Sequence, residues 1–201
     1  MAKKLGLLAY GSLVGEPGPE LEEVTKEIIE HIVTPFPVEF ARLSTSRSKA
    51  PTLVPVKEGG AQVPAVIFVM DTTLEDAEHR LWRRETRKTG NYMRPDEPND
   101  NTVTVERLRN FAGVETVLYT RIGANIWPAD RTAVFLAKAA IDSAKKRKDG
   151  KDGITYLRDA LANGLVTPLS APYEAEILKR VGVDTLDEAI DKFKTPPPKL
   201  K

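Results

Sequence analysis

Over its first 128 residues the chain offers a series of short apolar runs with one amphipathic helix pattern among them. GLLAY (Gly6 to Tyr10), PVEFARLS (Pro37 to Ser44), TLVPVK (Thr52 to Lys57), VPAVIFVM (Val63 to Met70), TVTVERL (Thr102 to Leu108) and ETVLYTRI (Glu115 to Ile122) are all of strand length. They are rich in β-branched residues and bounded by Pro, Gly or charge. Prolines inside two of them point to edge positions or bulges. Leu5 to Tyr10 is expected to be a central strand. ELEEVTKEIIEHI (Glu20 to Ile32) fits either a helix or a strand-like connection.

The single helix is LEDAEHRLWRRETRK, Leu74 to Lys88. Thr72 or Thr73 can cap it, acidic residues occupy its first turn and basic ones its last. Many short strands with one helix between them predict an α+β fold, a small mixed β-barrel with the helix across its mouth, rather than a doubly wound sheet. From Asp130 the pattern turns helical: RTAVFLAKAAIDSAKKRK, ITYLRDALANG, YEAEILKRVG and TLDEAIDKF follow one another. The expected organisation is therefore a barrel domain over residues 1–128, a helical extension packed on it over 129–194, and a disordered tail at 195–201.

Composition narrows the chemistry. The absence of cysteine removes disulfides, thiolate nucleophiles and Cys-based metal sites. With only His31 and His79, a three-histidine metal site is excluded. The 30 Lys+Arg against 29 Asp+Glu lack the basic excess of a nucleic-acid binder. No apolar run approaches the ~18 residues of a membrane span. The opening MAKKLGLLAYGSL is too short in its apolar part for a secretory signal and reads as the first strand of a cytoplasmic protein.

Three stretches carry candidate chemistry. The first strand runs into YGSLVGEPG, where main-chain N–H groups can converge on an anionic group. It has neither a Walker lysine nor a G-x-S-x-G elbow, and alone it reads better as a structural turn. On the helix, at 100° per residue, Glu85 falls beside Leu74 and Leu81 with Ala77 and Trp82 flanking. A carboxylate in an apolar stripe is raised towards the range useful for proton transfer, and the carbonyl end of a helix pushes the same way. The competing reading is a buried ion pair with Arg47, Arg83 or Arg84, which periodicity alone slightly favours. Glu78 is the internal competitor on the same stripe. RLSTSRSKAP (Arg42 to Pro51) can neutralise an anion but reads more simply as a solvated loop. Both histidines read as structural, with His79 projecting from the helix surface, and Tyr119, Trp127 and Phe135 read as core.

A strand ending in Tyr10-Gly11-Ser12-Leu13, then short strands and a helix with an inward Glu, resembles the γ-glutamylcyclotransferase-like superfamily over roughly residues 5–125. In its glutathione-specific branch the acidic residue lies in R-E-x-x-G. Here the text is Arg84-Glu85-Thr-Arg-Lys-Thr-Gly90, the same start with a longer gap. Leu13 stands where the best-known members have Asn, and the helices after Asp130 have no counterpart in the minimal family domain. The resemblance implies that Tyr10, Gly11, Ser12 and Leu13 bind a γ-glutamyl group, largely through main chain, and that Glu85 is the acid/base. It also implies a small-molecule γ-glutamyl substrate and no metal or organic cofactor. The alternatives are a non-catalytic module that keeps the pocket, or an interaction subunit. An arginine salt-bridged across the space between Glu85 and the loop would favour these non-enzymes.

Overall fold

The computed structural model describes residues 3–147 and 149–194; the tail expected to be disordered, 195–201, lies outside them. In chain order the elements are β1 (Lys3–Ala9), α1 (Ser12–Gly15), α2 (Pro19–Glu22), β2 (Thr25–Val33), β3 (Val38–Ser44) and β4 (Ala50–Pro55). There follow β5 (Pro64–Met70), α3 (Leu74–Thr86), β6 (Thr104–Phe111), β7 (Val114–Arg121), α4 (Ala133–Lys146), α5 (Gly153–Ala162), α6 (Ser170–Val181) and α7 (Leu186–Lys194). The α+β class stands as expected. The segment left open at Glu20 to Ile32 divides, with one turn of helix from Pro19 and then the nine-residue strand β2.

The chain gathers into two compact units. The first runs up to Phe36 and resumes over Gln62–Gly123; the second joins Pro37–Ala61 to the chain from Ala124 onward. The β3–β4 hairpin thus groups with the C-terminal helices. The reason is aromatic packing. Phe40 of β3 meets Tyr173 of α6 edge-on at 5.2 Å and Tyr156 of α5 at 6.4 Å.

In the first unit five strands form a mixed sheet in the order β2-β5-β1-β7-β6. Its hydrogen-bonded ladder is open among the described residues, with β2 and β6 at the edges, rather than closed into a barrel. β3 and β4 form a separate two-stranded sheet, with Val38 of β3 also bridging Ala61. The first strand is central as expected, antiparallel to β5 and parallel to β7. Gly6 permits this position, because a Cβ there would lie 2.6 Å from the Ile67 side chain. Pro64 needs no edge: it is the first residue of β5, where a missing N–H costs least.

Alternation along β1 sorts its side chains to two faces. Leu5, Leu7 and Ala9 join Phe68, Val105 and Leu118 in the cluster covered by Ala77 and Leu81 of α3. Leu8 joins Ile67, Val114 and Val117 on the opposite face.

Candidate functional site

Beyond Ala9 the chain turns at Gly11, whose φ of 61° and ψ of −139° suit a residue without Cβ. The Gly11 carbonyl accepts the Val14 N–H at 3.1 Å and the Ser12 carbonyl accepts the Glu16 N–H at 3.0 Å. These bonds close the single helical turn α1. No side chain caps that turn, so its leading N–H groups point out of the helix without an intrahelical acceptor. The four residues that the sequence joins in one binding loop part company here. Leu13 is buried in the cluster beneath α3, and Ser12 is exposed. Tyr10 lies on the opposite sheet face, edge-on to Phe36 at 6.2 Å, with Phe36 against Tyr119 at 4.8 Å. A role for Tyr10 in this turn is consequently one of its main chain.

The helix α3 begins where its sequence signal places it. The Thr73 hydroxyl accepts the Asp76 N–H at 3.2 Å, and Asp76 is held below the usual carboxylate range, chiefly by the hydrogen bond from Thr72. Thr86 is its last residue, and Arg87 follows with φ 56°, its N–H on the Arg83 carbonyl at 2.7 Å.

The two carboxylates of the inward stripe are each matched to an arginine. Glu85 keeps a quarter of its side chain exposed and receives the Arg84 guanidinium at 2.5 Å. Glu78 lies deeper, 13% exposed, and is paired with Arg107 of β6 at 2.7 Å. Of the three cations compatible with Glu85, Arg84 is the partner; Arg83 binds Glu20, and Arg47 lies over the Tyr156 ring at 5.0 Å. The second arm of Arg84 donates to the Glu16 carbonyl at 2.8 Å. One guanidinium thus ties the acidic residue of the helix to the chain that leaves the Tyr-Gly-Ser-Leu turn.

Neighbouring arginines fasten the same segment. Arg83 donates twice to Glu20, and Arg80 bonds the Glu20 carbonyl and Glu23, both at 2.7 Å. Between this segment and the end of α3 lies a shallow recess of about 250 Å³, lined by Pro17, Gly18 and Pro19 on one side and Arg84, Arg87 and Lys88 on the other.

His79 does not project freely. Its Nδ1 accepts the Tyr92 N–H at 3.0 Å and the side chain is 15% exposed, because the chain after α3 folds back over it. Tyr92, which the sequence reading passed over, is buried and its hydroxyl accepts the Val105 N–H at 3.1 Å. The available signal was one large apolar ring in the polar text TGNYMRPDEPND. Trp127, read as core, is 78% exposed, while Tyr119 and Phe135 are half-buried. The stretch Arg42 to Pro51 spans the end of β3, the connection and the start of β4, with Ser48 and Lys49 both left-handed.

The second unit holds a carboxylate that no pattern flagged. Glu39 of β3 is 1% exposed. It accepts the Thr167 hydroxyl at 2.6 Å, the Phe40 N–H at 2.7 Å and the Leu169 N–H at 3.3 Å. Burial raises its pKa, with these hydrogen bonds and Arg131 pulling it part of the way back. Among the described residues no group of three or more His, Asp or Glu side chains is arranged to hold a metal ion, and no helix is long and apolar enough to cross a membrane.

No family model and no curated protein sequence matches the chain. Among solved structures, a crystal structure of a γ-glutamyl cyclotransferase specific to glutathione, from yeast, is similar over 95% of this chain and 99% of that chain, at 16% identity and a TM-score of 0.45.

Proposed function

We propose that the protein is a γ-glutamylcyclotransferase-like enzyme that releases 5-oxoproline and a free amine from a γ-glutamyl amide. The observation that supports the reading is the uncapped turn after Gly11, at the end of the central strand, whose leading N–H groups have no intrahelical acceptor. In the proposed reaction the turn's N–H groups at Gly11, Ser12 and Leu13 hold the γ-glutamyl chain folded and face the oxygen that becomes negative. The α-amine then attacks the γ-carbonyl within the same molecule, so proximity supplies much of the rate.

Glu85 takes a proton from the α-ammonium to free its lone pair. A C–N bond forms to close the five-membered lactam, and the original amide C–N bond breaks. The protons lost by the attacking nitrogen pass to the leaving nitrogen, Glu85 serving as base and then as acid. Its carboxylate must first part from Arg84, and the incoming α-ammonium is the cation that replaces the guanidinium.

The Arg84 ion pair, which joins Glu85 to the Glu16 carbonyl, favours a second reading by the criterion of a bridging arginine: a non-catalytic module in which Arg84 keeps the carboxylate engaged. One screen separates the two. A panel of γ-glutamyl peptides and amines is incubated with the protein and 5-oxoproline is measured. Release by the wild type and its loss in Glu85→Gln supports the enzyme; ligand binding without release supports the module.

A further inference from the structure

The β3–β4 connection and one flank of α4 border another shallow recess, of about 230 Å³, that lies wholly within the second unit. Its walls come from two basic stretches far apart in the chain, Arg42 to Pro51 and the end of α4. The Arg147 guanidinium ties them together by donating to the Ser46 carbonyl at 3.3 Å. On α4, Phe135, Lys138, Ala139, Asp142 and Lys146 recur at three- and four-residue spacing and so share one flank, beside the buried stripe of Leu136, Ala140 and Ala144.

The floor of the recess is apolar. Phe135 and Ala139 line it with Leu43 of β3, and all three are only half-buried. The rim is cationic, with the ammonium groups of Lys49, Lys138 and Lys146 against the single carboxylate of Asp142. Asp142 is already engaged. It accepts from Lys138 at 2.6 Å, lies 3.6 Å from Lys145, and is held below the usual carboxylate range chiefly by the Lys138 bond. Lys49 and Lys146 are exposed and have no carboxylate at ion-pair distance among the described residues. Ser48 and Lys49 hold left-handed backbones in succession, φ 53° and 66°, a strain of the kind that gathers at ligand-binding turns.

We propose that this recess binds a small amphiphilic carboxylate, its ring or short alkyl body on the floor of Leu43, Phe135 and Ala139 and its charge at the Lys49 and Lys146 ammonium groups. A neutral apolar molecule would use the floor and leave the rim to water. An inorganic anion would use the rim and leave the floor wet. An anion with an apolar body matches both. The volume, below the ~300–1,000 Å³ of drug-sized pockets, sets that body at about one ring. The site draws on no residue of the Glu85 site and is independent of the cyclotransferase reading.

The test titrates phenylacetate into the whole chain and into its Lys49→Gln/Lys146→Gln double variant, with phenylacetamide, acetate and a short single-stranded DNA as comparators. Both substitutions are at exposed positions, and folding of the variant is checked by circular dichroism. Amide NMR shifts give the affinity and the place of binding together. Phenylacetate is expected to move the amides of Leu43 to Lys49 and Phe135 to Lys146 with a millimolar Kd. Phenylacetamide, acetate, and phenylacetate on the double variant should each bind about fivefold or more weakly. Phenylacetamide or acetate binding as tightly as phenylacetate would overturn the site. So would phenylacetate shifts confined to other parts of the chain, unchanged affinity in the folded double variant, or no saturable shift at tens of millimolar. DNA that binds these amides where phenylacetate does not would assign the lysines to a polyanion and end the carboxylate proposal. Release of 5-oxoproline is not measured, so the outcome is separate from that of the cyclotransferase screen.

Discussion

Glu85 belongs to the first unit of the chain and Glu39 to the second. Both are carboxylates withdrawn from solvent, in part or wholly, and they are satisfied in opposite ways. Glu85 at the end of α3 keeps a quarter of its side chain in solvent and is met by a full positive charge. Glu39 in β3 is 1% exposed and is met by one hydroxyl and two main-chain N–H groups. A partly exposed ion pair can be exchanged for a pair with another cation, such as a substrate ammonium. A buried acceptor with three fitted donors cannot be given up without weakening the hydrogen bonding of each. On the proposed reading the difference teaches that depth of burial does not pick out the reactive carboxylate: the deeper one is held by fitted donors, and the replaceable partner marks the other.

The largest expected effect separates them through turnover. Glu85→Gln should lower 5-oxoproline release by on the order of 10² or more while leaving thermal unfolding close to wild type. A Glu85→Gln protein with wild-type turnover would place both acids in the structural class. Glu78→Gln, whose partner is Arg107, should affect turnover much less.

Stability is the complementary readout. Glu39→Ala takes an acceptor from the Thr167 hydroxyl, leaving it only the Ser170 hydroxyl at 3.2 Å, and from two N–H groups, and should cost about 1–3 kcal/mol in urea unfolding, with the folded protein retaining turnover. Glu39 adds a pH dependence of known sign. Its folded pKa is above the ordinary 4.5 because burial disfavours the charge, so the native state holds the proton more tightly than the unfolded one. The resulting stabilisation is complete below the unfolded value and is lost as pH rises through the folded one. Urea midpoints should therefore show Glu39→Gln gaining on wild type as pH rises above 4.5. A constant difference between the two proteins across that range would remove the contrast with Glu85.

A third change addresses the turn that the Glu85 site needs. Gly11 holds φ 61° and ψ −139°, so Gly11→Val should strain the backbone by about 1–3 kcal/mol and abolish γ-glutamyl binding by calorimetry in the protein that remains folded. Tight binding by folded Gly11→Val would reduce the turn to a connection. The smallest effect is Ser12→Ala. The Ser12 side chain is exposed, and its loss should cost at most one hydrogen bond, about 0.5–1.5 kcal/mol of binding.

Local pattern was enough for much of the frame. A strand ending before Gly11, a helix starting after Thr73 and four helices after residue 128 are dictated by alternation, capping and 3.6-residue periodicity among near neighbours in the chain. The same arithmetic set Glu78 and Glu85 on one inward stripe and named Arg84 among three partners for Glu85. It had no means of choosing among them, because the choice depends on a carbonyl 68 residues away that holds the other arm of Arg84. Strand alternation likewise missed Glu39. It assumes one solvated face, and residues 38–42 are buried on both, Glu39 being closed over by Thr167 from 128 residues further along the chain. His79 went the same way, since only the returning chain at Tyr92 turns a surface imidazole into an acceptor. The sequence alone determined where elements start, stop and turn their faces, because those depend on bonds within a few residues. Tertiary structure alone decided which charge meets which partner and which acid loses its water, because burial is created by segments that the local chain cannot see.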